Sequence, residues 1–375
     1  MVEQLMLANA LRPPTVGDGP RPGGIIKLSV EHFRVVELPV TAPSGNGSHL
    51  WLEIERSGMN TEYVARQLAA VAAVPARDIG FAGLKDRHAL TRQWFSVPGH
   101  ENDELLVEPL AQRGLRVTSS GLHERKLRRG ALKGNRFRIF VLSASNDDGE
   151  LLDHLAMTKL VNTNAQVVRE RGVPNYFGPQ RFGRHGNNLN HAQRMLCEGQ
   201  RVRERHRRGL YLSAARSALF NQVLASRVRD GSWAALLAGE AVVLDGSASF
   251  FLADPQDVSL SARLDAFDIH PSGPLIGDGE TPATDLAARV EITALLGCES
   301  LMTGLRSQRM ESARRALRVR VADLRVDQTA QDGWWLEFSL PAGAYATMVL
   351  REIFDIADGS RIVAEGEAAV QQAEQ

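Results

Sequence analysis

The order in which strand-like and helix-like runs follow one another constrains this 375-residue chain most. Short β-like runs come first, Ile26-Lys27-Leu28-Ser29-Val30 and Phe33 to Leu38, and after a Pro/Ser/Gly turn cluster over 42–48, Leu50 to Ile54 alternates. Such alternation marks strands with one buried face. The spacing then predicts a helix from Asn60 or Thr61 to about Ala73, with Val64, Leu68, Val71 and Ala72 on one side and Pro75 as its stop. Arg136 to Leu142 alternates again, before a polar turn at 143–149. The middle of the chain reads differently. Leu151 to Arg171, Ala192 to Leu196, Ser213 to Val228, Trp233 to Leu237 and Asp285 to Leu296 have helical character, and 245–284, rich in Gly, Pro, Ser and Asp, reads as irregular. Strand character returns at Leu317 to Leu324 and Trp334 to Leu340, followed by a short helical segment, Ala344 to Phe354. A β-rich beginning and end around a helix-rich middle predicts an α+β fold: one domain interrupted by another. Residues 1–24, with Pro13, Pro14, Pro20 and Pro22 and no apolar period, predict a loose, flexible arm.

Composition removes several classes. No run approaches the roughly 18 apolar residues of a membrane span. The opening MVEQLMLANALRPPTV has no basic leader, long apolar run or small-residue cleavage site, and does not read as a signal peptide. Cys197 and Cys298 are far apart, without a CxxC or a histidine at ligand spacing, so disulfide scaffolds and zinc folds are disfavoured and a reducing compartment fits. Forty-four cations balance forty-four anions, yet unevenly. Nine cations from Arg113 to Arg138 face Glu124 alone, and ten arginines from Arg169 to Arg208 face three glutamates. A phosphate backbone feels the local field, because the Debye length is about 8 Å at physiological salt. Charge runs are usually solvated faces, but arginine-heavy ones suit bidentate phosphate recognition.

Three segments could carry chemistry. GFAGLKDRHALTRQWFSV, residues 80–97, places Lys85-Asp86-Arg87-His88 in a glycine-bounded loop. It lacks the GK[ST] ending of a phosphate loop. Neighbouring positive charge is expected to depress the pKa of Asp86, which suits a nucleophile and an ion-pair anchor equally. In KLRRGALKGNRFRIF, residues 126–140, Arg128, Arg129 and Lys133 could track phosphates while Asn135 reads a base edge and Phe137 stacks; a basic hairpin with Phe137 in the core fits as well. NYFGPQRFGRHGNN, residues 175–188, holds Arg181 and Arg184 among glycines and aromatics, and reads as an RNA loop or a structural hinge. There is no GxSxG elbow, no HExxH and no metal-ligand cluster.

These segments resemble the blocks of the tRNA pseudouridine synthase D (TruD) family. So do RSALFNQVLASRV (216–228), DIHPSGPLIGDG (268–279) and LPAGAYATMVLREI (340–353). The resemblance implies a pseudouridine-synthase catalytic domain built on a mixed, largely antiparallel sheet, formed by 25–160 and 315–375, with a helix-rich family insertion at 161–314. It implies that Asp86 is the catalytic aspartate and Lys27 its basic partner, and that Phe33, Asn135, Phe137 and Tyr345 contact the target uridine. Tyr345 stands where relatives often have Phe, and His32 where an acid is usual. The implied reaction converts uridine to pseudouridine, at position 13 of tRNA, with no cofactor and no metal. The expected enzyme is a cytoplasmic monomer with tRNA as its partner, no membrane association and no obligate protein partner. Two other classes stay open on residues alone. An RNA-binding module would not need Lys27, Asp86, Asn135 and Phe137 together, and a carboxylate-dependent hydrolase would need a second acid near Asp86.

Overall fold

The computed structural model of this chain describes residues 2–17, 19–144, 154–329 and 333–360. They fall into two compact units. The first holds Arg21–Ala165, Ala322–Gly343 and the chain from Ile353 onward; the second holds the chain up to Pro20, Gln166–Val321 and Ala344–Glu352.

The first unit is built on a sheet of ten strands among the described residues. Its main path runs Ala322–Thr329, Gly333–Pro341, Leu132–Ala144, Phe33–Pro39, Leu90–Pro98, His49–Ser57, Arg116–His123. Gly23–Ile26 joins between Leu132–Ala144 and Asp355–Asp358, and Gly80–Phe81 pairs with Leu90–Pro98. Two pairings are parallel, Phe33–Pro39 with Leu90–Pro98 and Gly23–Ile26 with Asp355–Asp358; the rest are antiparallel. The sheet is therefore mixed and largely antiparallel, and the fold is α+β as expected.

One face of this sheet is covered by helices. Leu50, Leu52, Ile54 and Phe95 pack against Val64 and Leu68 of the helix Thr61–Val71 and Leu106 and Leu110 of the helix Glu104–Ala111. The predicted start of the first helix is sound: the Asn60 side chain accepts from the Tyr63 N–H at 2.8 Å, a cap contributing about 1 kcal/mol. The chain leaves it through Ala73 at φ 53°, ahead of Pro75.

The second unit surrounds the helix Arg205–Arg229, which is buried on nearly all sides from Ala214 to Val228. Ala214, Ala215 and Ala218 permit close approach, and Phe220 and Leu224 fill the core with Tyr176, Phe182, Leu305 and Leu317. Asn221 is buried in it. Its side chain accepts from the Phe177 N–H at 2.9 Å and donates to the Phe177 carbonyl at 3.0 Å, tying the 175–188 segment to the helix. A four-stranded sheet runs Phe250–Leu252, Ala241–Leu244, Ile269–Leu275, Ala313–Ala316.

Several sequence expectations need correction. The arm is not loose throughout: Val2–Leu11 is a helix whose Met6 and Ala10 are buried in the second unit's core. Apolar residues surround that helix with little contrast between faces, so periodicity did not expose it. The strand-like run Ile26 to Val30 stops at Ile26, because Lys27 takes a left-handed conformation that no strand can continue. The stretch 245–284 contains the strand Ile269–Leu275, buried along most of its length, and the helix Ser259–Asp265. Residues 233–237 form turns, not a helix. Most of the predicted turn at 143–149 and the start of the Leu151 to Arg171 run lie outside the described residues.

Candidate active site

Lys27 follows the strand Gly23–Ile26 with φ 60°. For a residue with a Cβ this conformation costs roughly 1–2 kcal/mol and persists only where the surroundings impose it. The strand is held on both sides, by Leu132–Ala144 and Asp355–Asp358, so the turn at Lys27 is fixed in place. Its buried ammonium forms an ion pair with Asp86 Oδ2. The other carboxylate oxygen, Oδ1, accepts from the His88 N–H at 3.0 Å. Asp86 keeps 33% of its side chain exposed, so both oxygens are held while the group stays accessible. Burial pushes its pKa up, but the charge and hydrogen bond of Lys27, joined by His88, outweigh burial and hold it below the ordinary aspartate value. The carboxylate is an anion at neutral pH.

The cations adjacent to Asp86 in sequence are not the ones that act on it. Lys85 pairs with Glu37 at 2.6 Å, and Arg87 donates to the Gly58 carbonyl at 3.2 Å. The charge that lowers the pKa comes from Lys27 and His88.

A chain of contacts leads from the ion pair into buried aromatic side chains, with Phe33 5% and Phe137 7% exposed. Lys27 Nζ lies 4.8 Å from the centroid of Phe33, and Phe33 meets Phe137 edge to face at 6.4 Å. Phe137 in turn stacks on Phe338 at 5.5 Å. Alternation explains the grouping: Phe33 and Phe137 sit on the same sheet face through the pairings Phe33 with Ile139 and Val35 with Phe137. Asn135 shares that face two residues before Phe137, opposite Glu37. Its Oδ1 is buried and has no hydrogen-bond partner among the described residues. An unsatisfied buried amide oxygen is costly, about 1–3 kcal/mol, and is the kind of group a bound donor would relieve.

The site has a second polar layer that sequence reasoning missed. Glu37 and Lys85 are buried, with 1% and 5% of their side chains exposed. Gln93 donates to the Gly83 carbonyl at 2.7 Å and to Glu37 at 3.3 Å, and accepts from Arg56 at 2.9 Å. Thr61 Oγ1 accepts from the Lys85 N–H at 2.9 Å and from Arg56 at 2.9 Å. Burial pulls the Arg56 pKa down to about 10 against the opposing pull of Glu37, so the guanidinium remains charged. One signal was available: Glu37 stands at the i+4 position from Phe33, on the face that alternation assigns to the core.

Comparison with known sequences and structures decides the family. The sequence profile described as "tRNA pseudouridine synthase D (TruD)" matches residues 15–200 and 188–353. The chain is 44% identical over 339 residues to the tRNA pseudouridine synthase D of Nitrosococcus oceani, covering 90% of this chain and 92% of that protein. It is 43% identical over 332 residues to that of Methylococcus capsulatus, covering 88% and 91%. This chain belongs to the tRNA pseudouridine synthase D family. In fold it resembles a crystal structure from Methanosarcina mazei assigned to the same family, with a TM-score of 0.69 at 20% identity, covering 96% of this chain and 98% of that one.

The remaining residues singled out on the TruD blocks divide between the units. In the first unit Arg128, Arg129 and Lys133 are exposed, and Arg129 lies over the Phe81 ring at 3.9 Å. In the second unit Arg184 is exposed, whereas Arg181 is half-buried and engaged. It donates to the Tyr345 hydroxyl at 3.1 Å and to Ser213 Oγ at 2.9 Å. The extra hydroxyl of Tyr345, relative to a phenylalanine, thus has its hydrogen-bond partner within the unit. Among the described residues, no group of three or more His, Cys, Asp or Glu could hold a metal ion, and no helix is long and apolar enough to cross a membrane.

Proposed function

We propose that this chain is a pseudouridine synthase that isomerises uridine 13 of tRNA, with Asp86 as the catalytic carboxylate and Lys27 as the residue that keeps it ionised. In this reaction the bond from N1 of uracil to C1′ breaks, the base turns, and C5 bonds to C1′. C5 gives up its proton and N1 ends protonated, so substrate and product are isomers. The balance requires no redox partner, group donor or energy source. What it requires is an anion near the sugar–base bond, a surface for the base and restricted access of water.

The observation that carries the reading is the pairing of Asp86 with Lys27 at the head of the Phe33–Phe137 aromatic chain, in a chain of this family. A carboxylate that is ionised, held at both oxygens and still partly accessible can stabilise positive charge at C1′ or attack the nucleoside. Phe33 and Phe137 are the aromatic groups of the first unit assigned to the uridine, and Asn135 Oδ1, without a partner among the described residues, accepts from the uracil N3–H. Stacking contributes about 1–3 kcal/mol per base, which helps offset the few kcal/mol needed to extrude a nucleotide from folded RNA. Arg128, Arg129 and Lys133, with Arg184 and Arg181, supply the phosphate contacts. The helix-rich stretch 161–314 is the family insertion, and the enzyme works as a cytoplasmic monomer.

The test is direct. Purified protein is incubated with unmodified tRNA, and pseudouridine is mapped at single-nucleotide resolution. Conversion at uridine 13 supports the proposal, conversion elsewhere changes the substrate, and no conversion of any uridine overturns it.

A further inference from the structure

Asp86 lies in a loop that is clamped in two places. Its carboxylate is held by Lys27 and the His88 N–H, and the preceding residue is held by a separate buried network. Within that network Glu37 pairs with Lys85 Nζ at 2.6 Å, Thr61 Oγ1 takes the Lys85 N–H at 2.9 Å, and Gln93 fixes the Gly83 carbonyl at 2.7 Å. Glu37 also accepts from the Trp94 N–H at 3.4 Å, which anchors it to the strand Leu90–Pro98. Buried ion pairs are seldom retained for stability alone, because apolar residues of similar volume often replace them at no cost. The loop is thereby fixed at residues 83 and 85, just before the carboxylate.

We propose that Glu37 and Lys85 form a positioning pair for Asp86: the pair sets the backbone immediately before the carboxylate and keeps the Lys85 ammonium bonded to Glu37, leaving Asp86 to Lys27. This rests on Asp86 being the reacting carboxylate. Neither Glu37 nor Lys85 is assigned contact with the base; both act through the placement of Asp86. A misplacement near 1 Å in a reacting group lowers rate by about 10²-fold, and binding made elsewhere on the RNA is left intact.

The experiment is single-turnover kinetics on unmodified tRNA with Glu37→Gln, Lys85→Met and the double variant, alongside thermal unfolding and tRNA binding. Glu37→Asp is included as a variant that retains the charge and shortens the arm by one methylene. The expected result is cooperative unfolding, tRNA affinity within about threefold, and a rate reduced by about 10²-fold in each single variant. The double variant falls no further than the singles, as coupled partners do. Glu37→Asp loses about tenfold in rate with unchanged affinity, which keeps the test decisive should the neutral variants fail to fold. Full rate per folded molecule in Glu37→Gln or Glu37→Asp, with only a lowered unfolding temperature, would overturn the proposal and leave the pair a structural feature. Asp86→Asn is run in parallel. If it retains activity, the assignment of Asp86 fails and this inference with it; if it is inactive while the Glu37 variants are fully active, the positioning role alone fails.

Discussion

The Lys27 ammonium is bonded to the Asp86 carboxylate across 59 residues of sequence, and the lysine reaches it from a left-handed backbone turn at the end of a strand. The consequence is electrostatic. Burial alone would favour the neutral acid, and the ion pair reverses that preference. Activity that depends on the anion is then flat through neutral pH and declines only below the ordinary aspartate range.

Removing Lys27 tests this reversal. In Lys27→Met the burial effect persists without its opposing charge, so the Asp86 pKa rises. The sign follows: the anionic fraction, and with it the rate, is lost at higher pH than in the parent. A neighbouring opposite charge lowers a carboxylate pKa, so without Lys27 the acid limb of the single-turnover rate should move to higher pH. An acid limb that does not move would separate Lys27 from the ionisation of Asp86.

Asn135 presents a buried oxygen with no partner among the described residues. Asn135→Ala removes the acceptor assigned to the uracil edge, and should lower kcat/KM by about tenfold or more, in line with the ~1–3 kcal/mol of a buried polar contact. Thermal stability should change little or rise, because an unsatisfied group disappears. Unchanged kcat/KM would place the base elsewhere.

The exposed arginines make an ionic-strength prediction. Arg128→Ala with Arg129→Ala should weaken tRNA binding and flatten the dependence of log affinity on log salt by up to about two phosphate contacts. Arg129 also covers Phe81, so its loss bares an aromatic ring as well as removing charge. An unchanged salt slope, measured by binding titrations across a range of salt concentrations, would shift the RNA track to other arginines such as those of the 201–208 segment.

Much of the sheet unit was legible because alternation is local. The strand-like runs Phe33 to Leu38, Leu50 to Ile54 and Trp334 to Leu340 mark strands, and the observed strands cover all three, although Trp51 and Glu53 bury the other face of Leu50–Ile54 as well. The 80–97 motif marks Asp86 as a carboxylate among cations, with nucleophile and ion-pair anchor equally open. The predicted strand from Arg136 begins too late to include Asn135, which the observed strand Leu132–Ala144 places two residues before Phe137. What was hidden is long-range. Lys85 beside Asp86 looked like its cation, yet it turns to Glu37 on another strand, a choice that only tertiary packing makes. The stacking of Phe137 on Phe338 depends on the pairing of Leu132–Ala144 with Gly333–Pro341, between residues about two hundred apart in sequence. The N-terminal helix was missed for a different reason. A helix buried against a core need not be amphipathic, and the prolines after it dominated the local signal.

Asp86→Asn retains the shape and removes the anion. Mapping pseudouridine at nucleotide resolution after incubation of this variant with unmodified tRNA, with tRNA binding measured on the same preparation, tests the role of that charge most directly. The expected result is no detectable isomerisation with an affinity within about threefold of the parent, since RNA affinity rests largely on phosphate contacts, which a carboxylate does not make. Pseudouridine formed at the parental rate by Asp86→Asn would contradict that role.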